Sequence, residues 1–199
     1  MKMKNFFVLL SFVFLTFLPS TFASENESII SVGEKDAKIT IKVFSSLTCP
    51  HCANFHKEIF KKLKKDYIDT KIARFEHHGF PLDLAALNAE KVLNCFKNNK
   101  KKLNFLNEIY EKQDVWASGA DINSINSNLI KIGKNHDLNN DTILNCLNDE
   151  NLEEKILNER IMANKKYSIQ STPTVYVNGK KYEGKHNYRD FKKVIEKFL

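Results

Sequence analysis

The spacing of hydrophobic and polar positions changes period along the chain, and each change marks an element. Ile39–Ser45 (ITIKVFS) is β-branched and nearly continuous in apolar character, which predicts a buried strand. Behind Cys49-Pro50-His51-Cys52 the period becomes helical. Cys52, Phe55, Ile59 and Leu63 share one stripe, and Lys57, Lys61, Lys62, Lys64 and Lys65 occupy the remainder. Residues 71–77 predict a second strand, closed by Gly79 and Pro81. Together these make a βαβ unit with two cysteines at the first turn of its helix. Residues 83–148 read as helical throughout. Asp83 caps a helix carrying Leu84, Leu87, Val92 and Cys95, and Leu103, Leu106 and Tyr110 mark a second, followed by Trp116. Ile122, Ile125, Leu129 and Ile132 mark a third, and Ile143, Cys146 and Leu147 a short fourth. A long helix over about 150–166 then leads into Ser171-Thr172-Pro173-Thr174. Finally, Val175-Tyr176-Val177 and Lys180-Lys181-Tyr182 flank Asn178-Gly179, the pair preferred in a type I′ hairpin turn. Asn187 and Asp190 resemble a capping box for a closing helix with Phe191, Val194, Ile195 and Phe198 inside. The order βαβ, helical block, ββα predicts an α/β chain.

The N-terminus follows a different logic. Lys2 and Lys4 precede an uncharged run over 6–18, Pro19 ends it, and Thr21-Phe22-Ala23 offers small residues at cleavage positions. This is the layout of a secretory signal over residues 1–23, cleaved after about Ala23. A spanning helix needs roughly 20 apolar residues, more than this run supplies. An uncleaved anchor is the alternative, and either way the remainder leaves the cytoplasm for an oxidising compartment, the periplasm.

Composition changes this picture little. The 199 residues carry a formal charge of +7, two of whose lysines belong to the signal. The basic residues are 28 Lys and only 3 Arg, alongside 22 Asn. Base or phosphate recognition by bidentate contacts needs Arg, so a nucleic-acid partner is not expected. Four Cys, six Gly and four Pro exclude collagenous, low-complexity and disulfide-scaffold classes.

The cysteines carry the candidate chemistry. At a helix start Cys49 meets unpaired backbone N–H groups and the positive dipole end, which favour its thiolate. Cys52 lies one turn inside on the apolar stripe. Cys49 therefore reads as the exposed nucleophile and Cys52 as the shielded resolving thiol. His51 lends a positive charge or a hydrogen bond to the Cys49 sulfur. A plain structural disulfide and a zinc site are the alternatives. The zinc site would draw further ligands from His56, His77 or His78, and no metal or other cofactor is expected. His77 and His78 read instead as strand-end surface residues. Cys95 and Cys146 lie on apolar helix faces, either bridged as a staple or unpaired in the core.

Phe44-Ser45-Ser46-Leu47-Thr48-Cys49-Pro50-His51-Cys52-Ala53-Asn54-Phe55-His56 carries a resemblance, together with Gly79-Phe80-Pro81-Leu82-Asp83 and Gln113-Asp114-Val115-Trp116. Thr172-Pro173-Thr174-Val175-Tyr176-Val177-Asn178-Gly179 completes it. These stretches resemble the DsbA family of exported thiol–disulfide oxidoreductases in the thioredoxin superfamily, in particular its alpha-proteobacterial branch. The resemblance covers nearly all of the chain beyond residue 23. It implies a thioredoxin-like fold from residues 24–82 and 150–199, with an inserted helical domain over 83–149. It also implies a cis Pro173 beside the Cys49–Cys52 sulfurs and a Thr172 backbone that pairs with extended substrate. Pro50 and His51 would tune the redox pair, and Cys95–Cys146 would be a second disulfide. The function implied is donation of disulfides to reduced or unfolded exported proteins by a monomer, with a DsbB-type membrane oxidase restoring the pair. An isomerase or reductant of the same fold, and a redox-silent peptide-binding module, are the competing readings. Two departures stand out. Many relatives carry a buried acid six residues before the first cysteine, where this chain has Val43. Thr172 precedes the cis-proline where the enterobacterial type protein has Val.

Overall fold

The computed structural model describes residues 29–199, so the expected signal over 1–23 lies outside the described residues. Five strands form one mixed sheet: β1 (Ile30–Val32), β2 (Ile39–Ser45), β3 (Ala73–Gly79), β4 (Thr174–Val177) and β5 (Lys180–Lys181). Their spatial order is β1-β3-β2-β4-β5. β2 runs parallel to β3 and antiparallel to β4, and β1 lies antiparallel on β3. Val43 is thereby flanked by His77 on one side and Val175 on the other.

β1 was not expected, because three residues are too few to display a period. It adds an antiparallel edge before the βαβ unit. β3 begins two residues later than the pattern suggested, since Lys71 takes a left-handed φ of 64° and ends the preceding turn instead.

Between β2 and β3 runs α1, a continuous helix over 50–68. Its hydrogen bonding widens to the π register over Phe55–Phe60 and Lys64–Ile68. The wider turns keep residues four apart on one line, so Phe55, Ile59, Leu63 and Tyr67 are all buried. The central block holds α2 (Leu84–Asn94), α3 (Asn99–Glu111), α4 (Gln113–Trp116), α5 (Ile122–Asn135) and α6 (Asn140–Leu147). α7 (Glu150–Tyr167) leads back to β4, and α8 (Tyr188–Glu196) closes the chain. The caps form as the residue types dictate. Asp83 Oδ1 accepts from Ala86 N at 2.7 Å, and Asn187 Oδ1 accepts from Asp190 N at 3.0 Å. Asn178 and Gly179 both take positive φ, 47° and 77°, as the hairpin turn requires.

Strand alternation divides the core. Ile39, Ile41, Val43, Phe75, Val175 and Val177 face α1 and α8, where Phe55, Ile59, Phe191 and Ile195 meet them. Phe44 and Tyr176 point to the other face and pack with Phe80, which follows β3, and with Tyr167 and Ile169 at the end of α7. A third cluster joins the sheet to the helical block. Cys52, Ala53 and Leu47 pack there with Val92, Phe105, Tyr110 and Trp116. Each fully buried large side chain contributes about 1.5–3 kcal/mol, so the helical block is fastened through the residues that surround the dithiol.

Candidate active site

β2 ends at Ser45, and a short turn brings Cys49 to the N-cap of α1, with backbone angles of −77° and 120° and Pro50 in the first helical turn. Proline suits that position because its missing N–H has no helical partner to lose. Cys49 O accepts from Cys52 N at 3.0 Å and from Ala53 N at 3.1 Å, which closes the first turn. Cys49 is half-buried and Cys52 is 1% exposed, and both are free thiols.

The two sulfurs are electrostatically unequal. Cys49 is lowered from 9.0 to about 5. The main cause is a hydrogen bond from the Cys52 thiol. Burial opposes it, and the Thr172 side chain and the backbone N–H groups of Cys52 and His51 assist. The His51 imidazole is exposed, so this residue acts on the sulfur through its main chain. Cys52 is pushed far up, first by burial and then by sharing its proton with Cys49 and by that neighbour's charge. Together the pair holds one proton firmly and releases the other readily.

The Thr172–Pro173 peptide bond is cis and buried against the pair. As a thiol, Cys49 Sγ donates to Thr172 O at 3.3 Å. The Thr172 hydroxyl is buried without a hydrogen-bond partner of good geometry, yet its polarity favours the charged form of both cysteines. Thr174 Oγ1 donates to Ser171 O at 2.6 Å and firms the loop. A cavity of about 330 Å³ adjoins it, lined by Phe80, Leu82, Ile161, Ile169 and Ser171.

Cys49, Cys52, Pro50, His51, Thr172 and Pro173 thus converge at one end of the sheet. Cys95 and Cys146 do not join them. They are linked to each other within the helical block, with an S–S distance of 2.08 Å and Cα atoms 6.1 Å apart. Among the described residues, no three His, Cys, Asp or Glu side chains gather as a metal site.

Other site residues escaped sequence reasoning. Gln113, buried at the start of α4, donates through Nε2 to Leu47 O at 2.7 Å and Cys49 O at 3.1 Å. It ties the cysteine turn to the helical block. Thr48 Oγ1 donates to Asp83 Oδ2 at 2.7 Å, a second tie to the same block. The expectation for His77 and His78 is corrected. His77 is 1% exposed and faces Glu90 at 3.5 Å, while His78 is largely covered and pairs with Glu76 at 3.1 Å. The strand end is overlaid by α2 and α7, which strand periodicity does not reveal. A buried Glu opposite a buried His has no local signature, since the two lie on different elements.

Comparison with known proteins agrees with this geometry. A family model described as thioredoxin matches residues 25–197. A Rickettsia typhi protein named as a protein-disulfide oxidoreductase is 30% identical over 159 residues, 80% of this chain and 57% of its own. Disulfide bond formation protein D of Bacillus subtilis is 30% identical over 178 residues, 84% of this chain and 76% of its own. The chain spans between 56% and 64% of the length of the Rickettsia relatives it matches. In three dimensions it resembles Wolbachia pipientis alpha-DsbA1, with a TM-score of 0.78 and 28% identity over 92% of this chain and 93% of that one. The B. subtilis BdbD structure gives 0.73 and 27% identity, over 86% and 92%. The fold is thioredoxin-like with an inserted helical domain, and the chain belongs to the thioredoxin family, in its DsbA branch of thiol–disulfide oxidoreductases.

Proposed function

We propose that this protein introduces disulfide bonds into exported proteins by dithiol–disulfide exchange at Cys49 and Cys52. The observation that carries the reading is the asymmetry of the pair. One thiol is acidified to about 5 at a helix start, and its partner is buried and held protonated. A thiolate that is stable when reduced makes the corresponding disulfide a willing oxidant. A substrate thiolate attacks Cys49, Cys52 departs, and the mixed disulfide is resolved by the substrate's second thiol. Thr172 offers its backbone to an extended substrate beside cis-Pro173, with the Phe80–Ser171 cavity alongside for an apolar side chain. Pro50 and His51 shape the helix start. Residues 24–82 and 150–199 make the thioredoxin-like unit, and 83–149 the insertion that covers the dithiol. The protein works as a monomer in the periplasm after cleavage near Ala23, and a DsbB-type membrane oxidase restores the disulfide. No step requires a cofactor.

The test is transfer from oxidised protein to a dithiol peptide, followed by mass change of the peptide. Wild type is expected to oxidise the peptide and Cys49→Ala to lose all transfer. An inert wild type would leave a peptide-binding module. A reduction potential near that of thioredoxin, about −270 mV, would overturn the oxidising role.

A further inference from the structure

The cavity beside the cis-proline loop has a cation in its wall that the fold leaves unanswered. Arg160, on α7, lays its guanidinium over the Phe80 ring, with 5.0 Å between Cζ and the ring centroid. An aromatic face holds a guanidinium flat and leaves its edge for acceptors. The fold supplies none. Nε is buried with no hydrogen-bond partner, and no acid among the described residues pairs with the side chain. The nearest acids along the chain are engaged or turned away. Asp83 accepts from Ala86 N at 2.7 Å and from Thr48 Oγ1 at 2.7 Å. Glu159 lines a separate cavity of about 220 Å³, together with His78 and Lys166.

The cavity that Arg160 lines, of about 330 Å³, holds Lys165 as a second cation, and among the described residues no acid lines it. The carbonyl end of α7 lies close by and opposes an anion, but it amounts to about half a charge against two whole ones. The rest of the wall is largely apolar, and Leu82 and Ile161 in it are well exposed. Ser171 also lines this cavity and precedes Thr172, whose carbonyl accepts from Cys49 Sγ at 3.3 Å. The two cations therefore stand beside the place where a substrate cysteine must arrive.

We propose that Arg160, with Lys165, selects reduced substrates that carry a glutamate about two residues from the cysteine reacting with Cys49. This selectivity rests on the exchange reading and names the substrate class of the same site. A substrate strand lying along Thr172 rises about 3.3 Å per residue and turns alternate side chains to one face, which brings that glutamate to the cavity. Its methylenes pack against Leu82 and Ile161, and its carboxylate meets the Arg160 guanidinium. An aliphatic side chain fills the same wall but leaves both cations unanswered, and a lysine adds a third. Attraction of one residue type and repulsion of another together make the choice. Arg160 is a specificity residue, and the sulfur chemistry at Cys49 and Cys52 runs as described above.

The test uses two-cysteine peptides of one sequence with a guest residue, Glu, Gln, Leu or Lys, two positions before or two positions after each cysteine. Initial rates of peptide oxidation by the oxidised protein are followed by mass at low ionic strength. They are expressed per peptide thiolate, because a nearby carboxylate raises a thiol's pKa. In the better of the two placements, Glu is expected to react about tenfold faster than Gln or Leu and faster still than Lys, with the ratio shrinking as salt is added. Arg160→Gln is expected to bring the Glu-to-Gln ratio within about twofold, and Arg160→Lys to keep part of it. A Leu peptide that outruns the Glu peptide, equal rates for all four, or a Glu preference that survives Arg160→Gln overturns the selection and leaves the exchange reading standing. So does a preference unchanged when Glu is moved to the far end of the peptide, which the overall positive charge of the protein would produce. The wild-type series decide alone where Arg160→Gln does not fold. Oxidation of none of the peptides overturns the exchange reading, and the selection with it.

Discussion

The two cysteine pairs occupy opposite ends of helices. Cys49 is the N-cap of α1, and Cys52 is one turn inside it. Cys95 is the C-cap of α2, and Cys146 stands in the last turn of α6. At a helix start the unpaired N–H groups and the dipole favour a thiolate, and at a helix end the carbonyls disfavour one. The first pair is separated by two residues and can close only a tight loop, which removes little chain entropy. The second closes a separation of 51 residues. One residue type therefore serves two ends, with the free pair, proposed as the reactive one, placed where charge is welcome and the bridged pair where the chain gains most from being tied.

This contrast can be broken first at its widest point. Alkylation of Cys49 by iodoacetamide is expected to show a midpoint near pH 5 rather than the ordinary 9.0, measured on reduced protein. The sign carries over to stability. A depressed thiol stabilises the reduced fold fully above pH 9.0, and the contribution is lost as pH falls through about 5. Denaturation of reduced wild type against Cys49→Ala at about pH 8 and pH 4 reads this directly, the gap closing at the lower value. A midpoint above pH 8 would erase the electrostatic difference between the pairs.

The second pair is expected to answer in stability and not in transfer. Replacing Cys95 and Cys146 together by Ala lowers unfolding free energy by about 4 kcal/mol in the chain-entropy model, with the Cys49 midpoint unchanged. Urea titration measures it, and loss of peptide oxidation at full folding would merge the two roles. The smallest effect is expected at the joint between the regions. Gln113→Ala leaves Leu47 O and Cys49 O short of a donor and costs about 1–3 kcal/mol. Its contacts are with carbonyls rather than sulfur, so the alkylation midpoint stays near pH 5. A shift of the midpoint would make Gln113 part of the electrostatics of the pair.

How much of this was legible in the sequence depends on the range of the interaction. The β2 pattern, the cysteines at a helix start, the Asp83 and Asn187 caps and the Asn178-Gly179 turn are local, with cause and consequence within four residues of one another. β1 was not legible, because a three-residue edge strand owes its existence to pairing with β3. The end of β3 was misread for the same reason. His77 looks like any strand-end histidine until α2 lays Glu90 over Gly79. Gln113 lay within a recognised stretch, yet its partners are more than sixty residues away.

By itself, the sequence determined which thiol would be acidic and which shielded, since a helix start and an apolar stripe are set by neighbours one turn apart. Only the tertiary structure decided what surrounds them. The Thr172 carbonyl against Cys49, the Gln113 tether and the buried contact of Glu90 with His77 join elements distant along the chain. Burial and unpaired polar groups exist only once those elements have packed, and they set what it costs to charge a group there.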